Sequence, residues 1–266
     1  MLKETKKIVW VGGLALLVLV IIATFTFSSS SEVKTPKLNI PVAKNTNVVT
    51  DGEYIFFNNP DGDVMRMHAF DATPELWIEG DWKVLSVSEN NIVFKQDEET
   101  IAVFNKEEKG IEETYAIKTD TAYCTKGAVY YKHPETSCIM QIDRITKEDV
   151  VFLGVPVNDF YVVGDILVVA QNGDKKGIAL FDYSTGAASL YLLDTVVKKV
   201  CYSDGVIVYA DKKDNVRRLT IGNSEDKELK GVKKDGLCFS KGVYFYVEKK
   251  PFGGYKLGAN YIDEFR

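Results

Sequence analysis

The chain has 266 residues, of which 45% are apolar and 27% charged, and its formal net charge is -5. This composition excludes a wholly disordered chain, and the mild acidity argues against nucleic acid as a partner, because nucleic-acid-binding domains usually carry a basic face. Four cysteines are too few for a disulfide-stabilised scaffold, and the length allows one or two globular domains.

The first element is an uncharged apolar stretch over residues 8–27, from Ile8 to Phe27. Twenty helical residues reach about 30 Å, the thickness of the hydrocarbon core of a bilayer, so the stretch predicts a transmembrane helix. A cleaved signal peptide is the alternative, since the small residues 28–31 suit a peptidase. The apolar run is longer than the usual h-region of about 7 to 15 residues, and we therefore expect a retained anchor whose partner is the lipid bilayer.

Positive residues set the predicted orientation of this anchor. Lys3, Lys6 and Lys7 lie in the N-terminal tail, residues 1–7, which is therefore expected in the cytoplasm. Residues 28–36 form a polar linker that extends to at most about 30 Å. The sequence thus predicts a single-pass protein of the cell membrane, with residues 37–266 outside the cell and close to the membrane.

A unit of about 38 residues recurs six times after the linker. Each copy has a short strand, a tight turn, and then an apolar strand rich in branched and aromatic residues. One residue marks each turn: Gly52, Asn90, Gly127, Gly164, Gly205 and Gly242. Gly and Asn tolerate positive φ best, so we expect positive φ at these markers. Two further strands follow in most copies, and four short strands in such a unit are typical of one blade of a β-propeller.

The predicted fold is therefore an all-β, six-bladed β-propeller of four-stranded blades. The sixth copy ends after its third strand. Leu38, Ile40 and Val42 alternate with polar residues and proline in residues 37–43, so this segment is expected to pair with the last blade and close the ring. The alternative is that residues 37–43 belong to the linker.

The first copy reads Asp-Gly-Glu-Tyr-Ile-Phe-Phe-Asn from Asp51, followed by Asp-Gly-Asp-Val-Met-Arg-Met from Asp61. It resembles the bacterial propeller family of unknown function that is related to the low-density-lipoprotein-receptor-related protein. Looser copies start at Val129 and at Val216, and the resemblance covers roughly residues 45–266. It implies a propeller and says almost nothing of activity; the Tyr-Trp-Thr-Asp motif of the receptor propellers does not occur here.

The sequence offers few chemical motifs, and no cofactor, metal site or catalytic residue is predicted. Trp77 and Trp82 are the candidate ligand-binding residues: they either pack between two blades or form an exposed aromatic shelf for a sugar or peptide. His68 and His133 lie in different copies without metal-binding spacing, so structural or surface roles are expected. Cys201 and Cys238 occupy matching positions in neighbouring copies; free buried thiols are the preferred interpretation, and a disulfide between them is the alternative.

These observations favour a binding or interaction module in the cell envelope, whose partner is an unidentified envelope protein or a glycan. One alternative is a carbohydrate-active hydrolase or lyase with acids at the mouth of the propeller channel. The other is a structural spacer. An enzyme requires converging titratable groups with shifted pKa values, whereas a binding module requires an exposed aromatic or apolar patch.

Overall fold

A computed structural model describes residues 38–69, 71, 73–173, 175–203, 205–229 and 238–261. The predicted transmembrane helix lies outside these residues. Within the described part of the chain, no helix has the length and apolar character needed to cross a membrane. The chain divides into two units, Met1–Lys34 and Thr35–Arg266, and the described residues all belong to the second.

The described residues form six antiparallel sheets of four strands each. In order from the inside, the first sheet has the strands β2 Val49–Thr50, β3 Tyr54–Asn58, β4 Val64–His68 and β5 Glu75–Ile78. The second sheet has β6 Lys83–Val87, β7 Asn91–Lys95, β8 Ile101–Asn105 and β9 Gly110–Tyr115. The third sheet has β10 Ala122–Cys124, β11 Ala128–Lys132, β12 Ile139–Asp143 and β13 Asp149–Leu153.

The remaining three sheets continue the same order. The fourth sheet has β14 Val157–Val163, β15 Ile166–Gln171, β16 Gly177–Asp182 and β17 Ala187–Leu192. The fifth has β18 Val197–Ser203, β19 Val206–Asp211, β20 Val216–Thr220 and β21 Glu225–Glu228. The sixth has β22 Cys238–Ser240, β23 Val243–Lys249, β24 Tyr255–Tyr261 and, as the outermost strand, β1 Ile40–Val42. The predicted all-β propeller with six four-stranded blades is confirmed.

The core lies between the sheets. The buried apolar residues of the described chain fall into six clusters, and each cluster joins one sheet to the next around the ring. Strand β15 shows the principle: Leu167 and Val169 pack towards the third sheet, whereas Val168 and Ala170 pack towards the fifth. Alternate side chains of a strand point to opposite faces, so nearly all the middle strands contribute to two clusters.

Strand β1 belongs to the cluster between the sixth and the first sheet. It pairs with β24 in an antiparallel register that sets Ile40 opposite Leu257. Leu38, Ile40 and Val42 are buried among residues of both sheets, while Pro41 is exposed. Pro41 has no N–H group, but this removes no hydrogen bond between strands at such a position, because an outermost strand leaves every second amide without a strand partner.

The expectation of positive φ at the turn markers is correct at four positions and wrong at two. Gly52, Gly164, Gly205 and Gly242 have positive φ, but Asn90 and Gly127 do not. In those two turns the hydroxyl group of the first turn residue accepts a backbone N–H three positions on: Ser88 Oγ from Asn91 at 3.3 Å and Thr125 Oγ1 from Ala128 at 3.2 Å. This side-chain bond supports a turn that needs no left-handed residue.

Deleting residues 37–43 is expected to lower the free energy of unfolding by an amount on the order of 5 kcal/mol, because the three buried apolar side chains of this segment are lost. Replacing Ile40 by Ala should lower it by about 2 to 5 kcal/mol. Denaturant unfolding of the full chain in detergent measures both. Asn39→Ala, at an exposed neighbour, is the control and should change it by no more than about 0.5 kcal/mol. Unchanged unfolding after the deletion would contradict the prediction.

Candidate functional site: the channel mouth and the outer groove

The innermost strands β2, β6, β10, β14, β18 and β22 surround a central cavity of about 440 Å³. Polar side chains from near the start of these strands, and from the residues just before them, contribute much of its lining, and we call this cavity the channel mouth. Its polar lining includes Asn45, Asn47, Lys83, Asp120, Thr121, Asp159 and Lys199. Apolar and aromatic side chains, among them Leu85, Tyr123 and Tyr161, line the rest.

Side chains cross between neighbouring innermost strands and hold the mouth together. Asn47 Nδ2 donates to the Val84 carbonyl at 2.9 Å, which links the first sheet to the second. Asn158 Nδ2 donates to the Val197 carbonyl at 2.7 Å, which links the fourth sheet to the fifth. These bonds fix the backbone that carries the charged groups of the mouth.

The negative charge of Asp120 is balanced by two ion pairs. Its Oδ1 lies 3.2 Å from the Nζ of Lys83 and 3.1 Å from the Nζ of Lys95, two lysines of the second sheet. The two lysines hold the pKa of Asp120 below its ordinary value, although partial burial acts in the opposite direction. The carboxylate therefore stays ionised and serves to join the second and third sheets.

Asp159 is the contrasting acid. Its Oδ2 accepts the backbone N–H of Val200 at 3.0 Å, and no ion pair to it is formed by the residues that the structure describes. Burial raises the pKa of Asp159 to about 6, although the positive charges of Lys132 and Lys199 oppose the rise. Asp159 is half-buried and lines the central cavity.

Two tyrosines stand beside Asp159. The rings of Tyr123 and Tyr161 have centroids 5.3 Å apart in an edge-to-face arrangement, and Tyr123 also contacts the ring of Phe160 at 5.2 Å. Burial raises the pKa of both phenols, and the charge of Asp159 raises that of Tyr123 further. Both hydroxyl groups are therefore neutral at physiological pH and able to donate or accept a hydrogen bond.

The two tryptophans singled out from the sequence lie between the first and second sheets. Trp77 is 9% exposed, and its ring packs edge-on at 5.5 Å against Phe56 and at the same distance against Phe104. Trp82 is half-buried against Phe94, with centroids 5.8 Å apart. Trp77 therefore offers no exposed face to a ligand, and both rings take part in packing between blades.

The cysteines and histidines occupy separate places. All four cysteines are free, and Cys238 lines the cavity. His68 contacts the ring of Tyr54 at 5.7 Å, and the Nδ1 of His133 accepts backbone N–H groups in its own turn. Among the described residues, no three His, Cys, Asp or Glu side chains are grouped so as to hold a metal ion.

A second candidate surface, the outer groove, lies between the outer edges of the third and fourth sheets. It consists of the side chains of Val150, Phe152, Leu153, Tyr183, Leu190 and Leu192. Phe152 contacts the rings of Tyr130 and Tyr183, at 5.1 and 5.8 Å. On β17, Leu190 lies directly opposite Ala179 of β16. Directly opposite residues share one face of a sheet, and Ala179 packs in the cluster between the third and fourth sheets. Leu190 therefore faces the third sheet. The exposed fractions of Leu190 and Leu192 are 55% and 79%.

Sequence reasoning did not single out Asp120, Asp159 or Lys199. The signal was present, because polar residues recur five to seven positions before the turn markers in several copies of the repeat. A single sequence does not reveal that these positions converge on one axis until the sheets are arranged in a ring. The outer groove was missed because its apolar residues have the same alternating pattern as buried strands.

No protein-family model and no curated protein matches the sequence. Solved structures with a similar fold include the computationally designed Ika8 protein, which is 12% identical, with a TM-score of 0.51 over 84% of this chain and 100% of that one. The extracellular domain of BT4673 from B. thetaiotaomicron is 12% identical, with a TM-score of 0.52 over 82% of this chain.

This chain spans about a third (34%) of that BT4673 structure. Hsv2 from Kluyveromyces lactis is 11% identical, with a TM-score of 0.52 over 84% of this chain and 73% of that one. At sequence identities this low, structural similarity to these proteins establishes only the fold of the chain. The chain is a β-propeller by its own six sheets and by these neighbours.

Native-state thiol labelling is expected to modify Cys138 first, because its side chain is the most accessible of the four. Burial raises the pKa of Cys124 to about 12 and also raises the pKa of Cys201 and Cys238, so these thiols carry almost no thiolate and should stay unlabelled. Mass spectrometry after maleimide treatment counts the labels. Four labels are expected after unfolding without reductant, whereas two would reveal a disulfide.

The pKa of Asp159 is expected to be about 6, and Lys199→Ala should raise it further by removing a stabilising charge. Carboxyl ¹³C NMR with Asp159→Asn for assignment measures both. Because the folded-state pKa exceeds the unfolded value of about 3.9, this residue's contribution to the free energy of unfolding should fall as the pH rises from about 4 to about 6. Asp159→Asn should remove that part of the pH dependence. A pKa at the ordinary value would refute the prediction.

Proposed function

We propose that the protein is a membrane-anchored, extracytoplasmic β-propeller that acts as a binding module in the cell envelope. The proposed anchor is the apolar stretch of residues 8–27, and the positive residues before it support an outside location for the propeller. The extracellular domain of BT4673 provides an example of the same fold outside a cell.

The outer groove is the observation that carries the proposal. Outermost strands of soluble sheets usually carry charged residues, which prevent their unpaired edges from associating. Strand β21, Glu225–Glu228, follows that rule, since all four of its residues are charged. Strands β13 and β17 expose Val150, Leu190 and Leu192 instead, beside unpaired backbone edges. Exposed apolar side chains on a free sheet edge favour a protein partner, which can cover them and pair with the edge.

Two finer statements belong to the same proposal. The first is that β1 closes the ring, which is supported by its burial between the sixth and first sheets. The second is membership of the bacterial propeller family related to the low-density-lipoprotein-receptor-related protein, which is supported by the residues of the first copy from Asp51 onwards.

A carbohydrate-active hydrolase or lyase is less well supported. Glycoside hydrolases generally use two carboxyl groups, one of them free to protonate the leaving oxygen and the other free to act as base or nucleophile. Among the described residues of the channel mouth, Asp159 is available, but Asp120 is engaged by two lysines. A structural spacer, for its part, does not require the exposed apolar groove.

Crosslinking of intact cells tests the proposal. A membrane-impermeant crosslinker should join the wild-type protein to its partner without lysis, because the propeller is expected outside. The double variant Leu190→Glu, Leu192→Glu should reduce the crosslinked partner about tenfold or more, since two charges in an apolar interface cost several kcal/mol.

The matched control is Phe252→Glu, which changes another fully exposed apolar residue far along the chain, in the turn between β23 and β24. It should leave the crosslinked partner unchanged. Crosslinking that requires lysis would refute the outside location, and equal loss in both variants would refute the assignment of the groove.

A further inference from the structure

The channel mouth has the properties of a small-molecule site, separate from the outer groove. Its volume of about 440 Å³ falls within the usual range for ligand pockets, about 300 to 1,000 Å³. The described lining carries two carboxylates, Asp120 and Asp159, and two ammonium groups, Lys83 and Lys199. A ligand without net charge but with local charges therefore fits this lining better than a simple anion or cation.

Two of the four charged groups are already used. Asp120 and Lys83 form an ion pair at 3.2 Å, so neither has its full charge available to a ligand. Asp159 and Lys199 form no ion pair with each other or with any other described residue, although the lysine is near enough to act electrostatically on the carboxylate. The lining of the mouth thus includes one negative and one positive side chain that are not engaged in an ion pair with described residues.

The surroundings of Asp159 suit an ammonium group. The carboxylate is held by the N–H of Val200 at 3.0 Å, and the neutral phenols of Tyr123 and Tyr161 stand beside it. A carboxylate flanked by aromatic rings attracts an organic cation through charge, hydrogen bonds and the ring faces. Lys199, at the exposed rim, is placed to receive a carboxylate from the same ligand.

We propose that the channel mouth binds an amino-acid-type zwitterion, with its ammonium group on Asp159 and its carboxylate on Lys199. A free amino acid and a short peptide share this chemistry. Leu85, Val87 and Val200 also line the cavity and offer apolar contacts to a small side chain of the ligand.

Isothermal titration of the full chain in detergent tests this site with L-alanine and with L-alanyl-L-alanine, which separates the two sources. The dipeptide is compared with its N-acetyl form, which lacks the ammonium group, and with its C-terminal amide, which lacks the carboxylate. The N-acetyl form and the C-terminal amide should each bind to the wild type about tenfold or more weakly than the unmodified dipeptide, the loss expected for one charged hydrogen bond.

The variants assign each end of the ligand. In Asp159→Asn the unblocked dipeptide should bind about tenfold more weakly, and N-acetylation should cost nothing further; Lys199→Gln should behave in the same way towards amidation. Lys198→Gln is the matched control, because Lys198 pairs with Asp214 at 3.0 Å and does not line the cavity. Circular dichroism and thermal unfolding establish that each variant is folded.

Equal binding of the blocked and unblocked dipeptides, full binding by Asp159→Asn, or no saturable binding of either probe up to about 10 mM would overturn the proposal. None of these outcomes affects the outer groove, since its variants lie on other strands.

Discussion

The need of each sheet to cover two apolar faces governs this structure. A four-stranded sheet of about 20 residues cannot cover either of its own faces, and the middle strands here carry apolar side chains on both sides. Each face therefore finds its partner on the neighbouring sheet, and the six clusters of the described residues follow one another around an axis. Stability is distributed over the interfaces between sheets, which is why large aromatic residues such as Phe160, Tyr209 and Tyr244 are fully buried there.

Both candidate surfaces follow from this radial arrangement. At the inner edge the sheets converge, so that short strands bring side chains from all six repeats to one small cavity. Water enters there, and charged groups are retained if they are paired, as Asp120 is, or bonded to backbone, as Asp159 is. At the outer edge the sheets diverge, so side chains such as Leu192 lose the cover that residues nearer the axis receive from the next sheet.

The sequence was sufficient for the number of blades and for most strands, because the period is long and the apolar strand after each turn is strong. It was insufficient for details that depend on neighbouring sheets. Asn90 and Gly127 looked like left-handed turn residues, but hydroxyl groups of Ser88 and Thr125 support those turns instead. Asp159 was not singled out, since its place in the lining of the central cavity exists only in three dimensions. The anchor over residues 8–27 stays a prediction.

The pairing of β1 with β24 has a kinetic consequence. Ile40 and Leu257 are opposite each other, yet roughly two hundred residues separate them along the chain. Contacts at such separation form late, because the entropy of closing so long a loop must be overcome first. During synthesis, the sixth sheet lacks its outermost strand until nearly the whole polypeptide has emerged, and the nascent chain carries Leu38, Ile40 and Val42 uncovered for that time. The strand that completes the last sheet is thus the first to be synthesised and the last to be buried.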